Sequence, residues 1–128
     1  MKKRRKTNKD NPNSRYWKTK ADDAWRAEIR AVGSCEICGQ KTGLNAHHLI
    51  GRTNLLFRHD LSNGVCLCSG CHLFKDHSPH RDLISTDNFI LWLKAERPGQ
   101  WQWYKENKDN KRLRELTYRD SYEAITKG

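Results

Sequence analysis

Long apolar runs are missing from this chain. Only 35% of its 128 residues are hydrophobic, and mean hydropathy is -1.02. No stretch approaches the roughly 20 apolar residues that a bilayer-spanning helix needs. The basic opening MKKRRK passes straight into polar TNKDNPNSRYWK, without the apolar segment of a secretory signal. The expectation is a cytoplasmic protein with no membrane contact. So little apolar sequence also promises a thin core. The length fits one small domain plus tails, and small domains commonly need a disulfide or metal staple.

Acidic residues are scarce as well, above all near the start. Fifteen Asp and Glu face 25 Lys and Arg, a net charge of +10, and the sequence pI is near 9.6. Up to residue 20, Lys2, Lys3, Arg4, Arg5, Lys6, Lys9, Arg15, Lys18 and Lys20 are opposed only by Asp10. Residues 1–18 therefore read as a flexible basic arm that gains affinity by displacing counterions from phosphates. Nucleic acid is the natural polyanionic partner. The run KKRRK also fits a nuclear localisation signal, but it is too short to carry weight.

Cysteine is present in the pattern of a metal site. Cys35-Glu36-Ile37-Cys38 and Cys68-Ser69-Gly70-Cys71 are two C-x2-C knuckles. Without a secretory signal they read as thiolates in a reducing compartment and not as a disulfide framework. Two intervening residues let each turn bring both sulfurs to one tetrahedral ion, and four sulfurs close the site. One structural Zn²⁺ that staples the fold is expected from Cys35, Cys38, Cys68 and Cys71. Cys66 lies on the same side of an extended strand as Cys68 but lacks the knuckle spacing. A buried reduced thiol is expected there, with competition for the ion as the alternative.

Around the knuckles the periodicities divide the chain. Thr19 to Asp22 has the form of a capped helix start, and Ala21, Trp25, Ile29 and Val32 recur at helical spacing. Residues 44–49 and 64–67 have the length of strands, and the long Gly/Arg/Asn/Asp-rich segment between them is of the kind that carries function. Residues 69–77 suggest a short helix stopped near Pro79. A further helix over 87–97 turns Phe89, Ile90, Trp92 and Leu93 inward and breaks at Pro98-Gly99. Another carries Trp101 and Tyr104, and Thr117 to Asp120 marks a capped start for a last one. Trp25 and Trp92 sit at core spacing. Trp17, Trp101 and Trp103 leave packing and base stacking both open.

With four cysteines on zinc, His47, His48 and His72 have no assigned partner. If strand and helix pack together, His47 and His72 can converge on one divalent ion and leave positions for water and phosphate. A neutral imidazole also has the right range to take a proton from water near pH 7.

At these residues the chain resembles the HNH endonucleases and their ββα-metal (His-Me finger) fold. The pattern is C-x2-C, then A-H-H-L-I, an asparagine before the second strand, and L-C-x2-C-H, over residues 35–77. Its context, HHLIGR followed by NGVCLCSGCH, looks most like small HNH proteins of bacteria and their phages. The resemblance implies an α+β fold, a zinc-stapled core flanked by helices, and hydrolysis of DNA, taken as double-stranded. It implies that His47 and His72 ligate a catalytic divalent metal, with Mg²⁺, Mn²⁺, Ni²⁺ and Zn²⁺ not distinguished. His48 would be the general base, and Asn63 would pin the loop that presents it. Where some members carry a third helical ligand this chain has Asp76, with His77 beside it as the other candidate. His59 and His80 read as ordinary loop residues. Arg52 and Arg58, in the loop beside the histidine pair, are candidate DNA contacts alongside Lys2 to Lys6, and a solvated surface role weighs equally for the two loop arginines.

The expected organisation is an arm over 1–18, a nuclease domain over 19–97 and a helical extension over 98–128. Two alternatives stay open. One is a non-catalytic zinc module that binds nucleic acid, which would have no need of His48. The other is a nuclease acting with a protein partner in a phage packaging or recombination complex.

Overall fold

The computed structural model describes residues 8–127. Lys2 to Lys6, expected in the basic arm, lie outside the described residues. A single hairpin organises the rest. Strand β1 (Leu44–His48) pairs antiparallel with β2 (Gly64–Cys68), placing His47 opposite Val65 and His48 opposite Gly64. Neighbouring side chains on a strand point to opposite faces, so His47 and His48 part company at once. Every β2 residue is buried, because helices cover both faces.

On one face lies α1 (Arg15–Arg30), which buries Ala21 and Trp25. Gly64 permits its close approach: a Cβ there would overlap Ile29 and lie 2.9 Å from Trp25 Cζ2. On the other face α2 (Leu83–Glu96) contributes Phe89 to a core with Val65, Leu67, Cys35, Cys68 and Cys71. Its start precedes the expected one because Asp82 caps it, accepting from Ser85 N while Ser85 Oγ accepts from Asp82 N.

Helix α1 begins at Arg15 and not near Thr19, so residues 15–18 are not part of an arm. Packing explains the difference. Trp17 Nε1 donates to the Lys9 carbonyl at 2.8 Å, and its ring lies 5.7 Å from that of Tyr122. The helix also stops at Arg30, short of Val32, which is 59% exposed instead of continuing the buried face.

The last third of the chain is packed onto this core. Helix α3 (Pro98–Asn107) opens with proline at a first-turn position, where no N–H is needed. Its Gln100 Nε2 donates to the carbonyls of Ser62 and Gly64, each at 2.8 Å, and Trp103 sits edge-on to Phe57. Helix α4 (Tyr118–Thr126) starts at the anticipated Thr117–Asp120 capping box and lies against α1. There Arg119 N donates to the Pro12 carbonyl at 3.0 Å, and Arg114 Nη2 donates to Asn13 Oδ1 at 2.8 Å.

The architecture is a small α+β core, a paired hairpin beside helices in a ββα-metal-type arrangement. Among the described residues no helix is long and apolar enough to cross a membrane.

Candidate functional site

Two groups of metal-ligating side chains flank the hairpin. In the first, Cys35, Cys38, Cys68 and Cys71 bring their sulfurs within 4.8 Å of one another. The first knuckle is a tight turn in which Gly39 N donates to the Cys35 carbonyl at 2.9 Å, with Gly39 at a φ of +80°. That conformation favours glycine. In the second knuckle Cys71 N donates to Cys68 Sγ at 3.4 Å. Burial pushes the Cys35 thiol up, but backbone N–H bonds from Cys38, Cys68 and Ile37 outweigh it and bring it down to about 6. Burial and its thiol neighbours push Cys71 well up. The backbone thus favours the thiolate form of Cys35, the form that binds a cation. The cluster suits a structural zinc. Cys66 stays outside it as a buried thiol, held high first by burial.

The second group is His47, His72 and His80, whose ring nitrogens also fall within 4.8 Å of one another. His47 Nδ1 and His80 Nε2 stand 3.1 Å apart. Two nitrogens bound to one ion at about 2.1 Å are separated by about 3.0–3.4 Å, so the pair already has ligand spacing. Burial, then the neighbouring histidines, press His47 down to about 3, and burial also lowers His72. Neutral imidazoles are the ligand form. His47 is buried, His72 half-buried and His80 exposed, leaving the cluster open on one side. A three-ligand, open site suits a catalytic divalent metal, distinct from the closed sulfur site.

The third member differs from the expectation. Asp76 and His77 were candidates on the premise of a helix through residue 77. The helical segment is instead a single wide π turn, Gly70–Phe74, and Lys75 is already extended. Asp76 therefore leaves the His72 face and pairs with Arg81 on the surface. His77 turns the other way, its Nε2 3.2 Å from Cys71 Sγ, as a partner of the sulfur cluster. His80, expected to be an ordinary loop residue, takes the place beside His47 because the chain folds back. Buried Ser78 makes that turn, donating through Oγ to the Gly70 carbonyl at 2.9 Å and accepting from Lys75 N at 2.8 Å. The Ser78-Pro79 pair before His80 was the one sequence signal for such a reversal.

His48, on the opposite face of β1, is held from two sides. Its ring stacks on Trp25 with centroids 3.9 Å apart and planes 8° from parallel. Its Nε2 lies 3.0 Å from the Arg58 carbonyl. A carbonyl can only accept, which assigns the proton to Nε2 and leaves Nδ1 as the acceptor. Burial is the main cause that lowers the His48 pKa below its ordinary 6.5, so the ring is neutral at pH 7. His47, His48 and His80 all border one shallow cleft of about 230 Å³, with Gly51, Phe89, Ile90 and Tyr104. A larger groove of about 440 Å³ beside α4, lined by leucines together with charged residues such as Arg112, Arg114 and Glu115, touches none of the three.

Asn63 is completely buried. Its Oδ1 accepts from Ile50 N at 2.6 Å, and its Nδ2 donates to the carbonyls of Ile50 and Phe57. Both N–H groups and the oxygen of one amide are engaged in tying the 49–62 loop. Arg58 is not free for phosphate. It forms a bidentate pair with Asp22 at 2.8 and 2.9 Å, and its Nη1 donates to the Arg52 carbonyl. His59 likewise is no simple loop residue, since it is buried with Nε2 2.6 Å from Asp22 Oδ1. Arg52 itself remains exposed on the loop.

Asp22 was not visible as a site residue in the sequence. It fixes the Arg58 side chain, and the Arg58 carbonyl in turn fixes His48. Burial pushes its carboxyl up, but the bonds from His59 and Arg58 outweigh that and hold it well below the ordinary 3.8. A depressed carboxylate contributes stability that is fully present above pH 3.8 and is lost as pH falls below it. We predict that Asp22→Asn lowers stability by about 1.5–3 kcal/mol at pH 7, the scale of hydrogen bonds to a charged group, with the gap to wild type narrowing on acidification. Melting curves of both proteins across pH would test this, and a gap that widens toward acid would refute the role.

Compared with protein-family models, with curated proteins and with solved structures, the chain matches none.

Proposed function

We propose that the chain is a metal-dependent endonuclease of the HNH type that hydrolyses phosphodiester bonds in double-stranded DNA. The observation that carries this reading is His48: a neutral imidazole, fixed through Nε2 and stacked on Trp25, beside an open three-histidine cluster. A non-catalytic zinc module has no use for such a group.

Held by His47, His72 and His80, a divalent ion would supply positive charge for the pentavalent phosphate and the departing 3′ oxygen. His48 Nδ1 takes the proton of the attacking water, and the water oxygen bonds to phosphorus. As the ring gains charge, its Nε2–H bond to the Arg58 carbonyl strengthens and stabilises it. The bond from phosphorus to the 3′ oxygen breaks, that oxygen takes a proton from solvent water, and 5′-phosphate and 3′-hydroxyl ends remain. Asn63 keeps the loop that carries Arg58 in register. Arg52 and the basic segment Lys2 to Lys6 contact phosphates outside the reacting position. A protein partner, as in a phage packaging or recombination complex, is compatible with this scheme.

Supercoiled plasmid incubated with the purified chain should be nicked in the presence of Mg²⁺, Mn²⁺, Ni²⁺ or Zn²⁺, and left intact with a chelator. DNA binding without nicking in any of these metals would replace the nuclease with the binding module.

A further inference from the structure

Five tryptophans are many for a chain of 128 residues, and four of them have evident packing or anchoring partners. Trp25 lies under His48, Trp92 stacks on Phe89, Trp103 meets Phe57, and Trp17 is tied to Lys9 and Tyr122. Trp101 is different. Helix α3 is anchored to the hairpin end through Gln100 and Trp103. Trp101, Tyr104 and Lys105, three and four positions apart, share another face.

On that face the Trp101 and Tyr104 rings stack at 5.8 Å with planes 29° apart. Two ammonium groups stand over Trp101: Lys94 Nζ from α2 at 5.4 Å from the ring centroid and Lys105 Nζ at 5.8 Å. Neither lysine has a carboxylate partner among the described residues, whereas nearby Arg97 pairs with Glu36. Tyr104 also forms a wall of the cleft bordered by His47, His48 and His80. A half-exposed aromatic pair and two cations without a carboxylate partner thus stand together beside the cleft that Tyr104 borders.

We propose that Trp101, Tyr104, Lys94 and Lys105 form a shelf for an unpaired stretch of DNA running into the histidine cleft. An unpaired base stacks on Trp101, and the lysines take the phosphates on either side of it. Stacking on an aromatic ring is tolerant of sequence but needs an exposed base face, which an intact duplex does not offer. The proposal rests on the nuclease reading for what happens in the cleft. It makes nicked, flapped or branched DNA the favoured substrate class over continuous duplex.

Binding separates the two ideas. Fluorescence anisotropy of a labelled oligo-dT strand and of a blunt duplex of equal length, with the full chain and no added divalent metal, measures binding apart from cleavage, and the variants isolate the shelf's share. Trp101→Ala should weaken single-strand binding by about tenfold, while Trp101→Phe keeps most of it and duplex affinity changes less than about twofold. Joint replacement Lys94→Gln and Lys105→Gln should reduce the single-strand salt slope by about 1.4, which keeps the test available if Trp101→Ala melts early. Unchanged single-strand affinity in these variants, or equal losses on strand and duplex, would overturn the shelf. A chain that nicks plasmid yet binds strands without Trp101 sinks the shelf alone. One that never nicks but loses strand affinity with Trp101→Ala sinks the nuclease alone.

Discussion

His48→Ala should slow plasmid nicking by about two orders of magnitude or more, the usual scale for loss of a general base. The variant should keep the sulfur-bound zinc and its divalent-metal requirement, because His48 lies outside the cluster of His47, His72 and His80. His80→Ala is the contrasting variant. Losing one of three ligands weakens metal binding, so raising Mn²⁺ should restore part of its rate, and no concentration should rescue His48→Ala. Nicking rates titrated against Mn²⁺ for the two proteins distinguish ligand from base. Wild-type nicking by His48→Ala would remove the catalytic assignment altogether.

Cys71→Ser should abolish the fold. Cys71 is fully buried in both the sulfur cluster and the core with Val65, Leu67 and Phe89. Binding of a structural zinc contributes about 10–16 kcal/mol in small thiolate sites, as much as or more than the typical net stability of about 5–15 kcal/mol. The variant should lose its tightly held zinc and its cooperative melt together. His47→Ala should retain one zinc per chain after exhaustive dialysis, measured by elemental analysis. Loss of that ion from His47→Ala would mean that the two clusters are not independent.

What the sequence made legible was local. The knuckles announce themselves by two-residue spacing, the hairpin by short apolar segments, and α4 by a capping box within four residues. Asn63 stands out in the sequence only through the resemblance, because its bonds to Ile50 and Phe57 form with partners that no local pattern marks. What escaped depends on distant partners. Arg58 looks available for phosphate because its partner, Asp22, lies 36 positions away, while nearby Asp60 turns to accept from Ser62 N. His80 stays hidden because residues 69–77 read as one helix, whereas Gly70–Phe74 forms only a single turn. The early start of α1 escaped because Ser14 offers no side-chain cap bond, and Trp17 and its aromatic neighbours supply the order instead.

The contact of α1 with α4 has a consequence for timing. Asn13 and Arg114 meet across 101 positions of chain, whereas the knuckles and hairpin join within one short stretch. Near neighbours associate quickly, and distant segments must first overcome a larger search. Maturation should therefore run in two stages, with metal captured by sulfur early and the Trp25 support beneath His48 secured only when α4 docks on α1. During refolding with cobalt(II) in place of zinc, thiolate colour should appear before nicking competence; simultaneous appearance would contradict this order. A chain caught midway would carry its staple while His48 still lacks a settled seat.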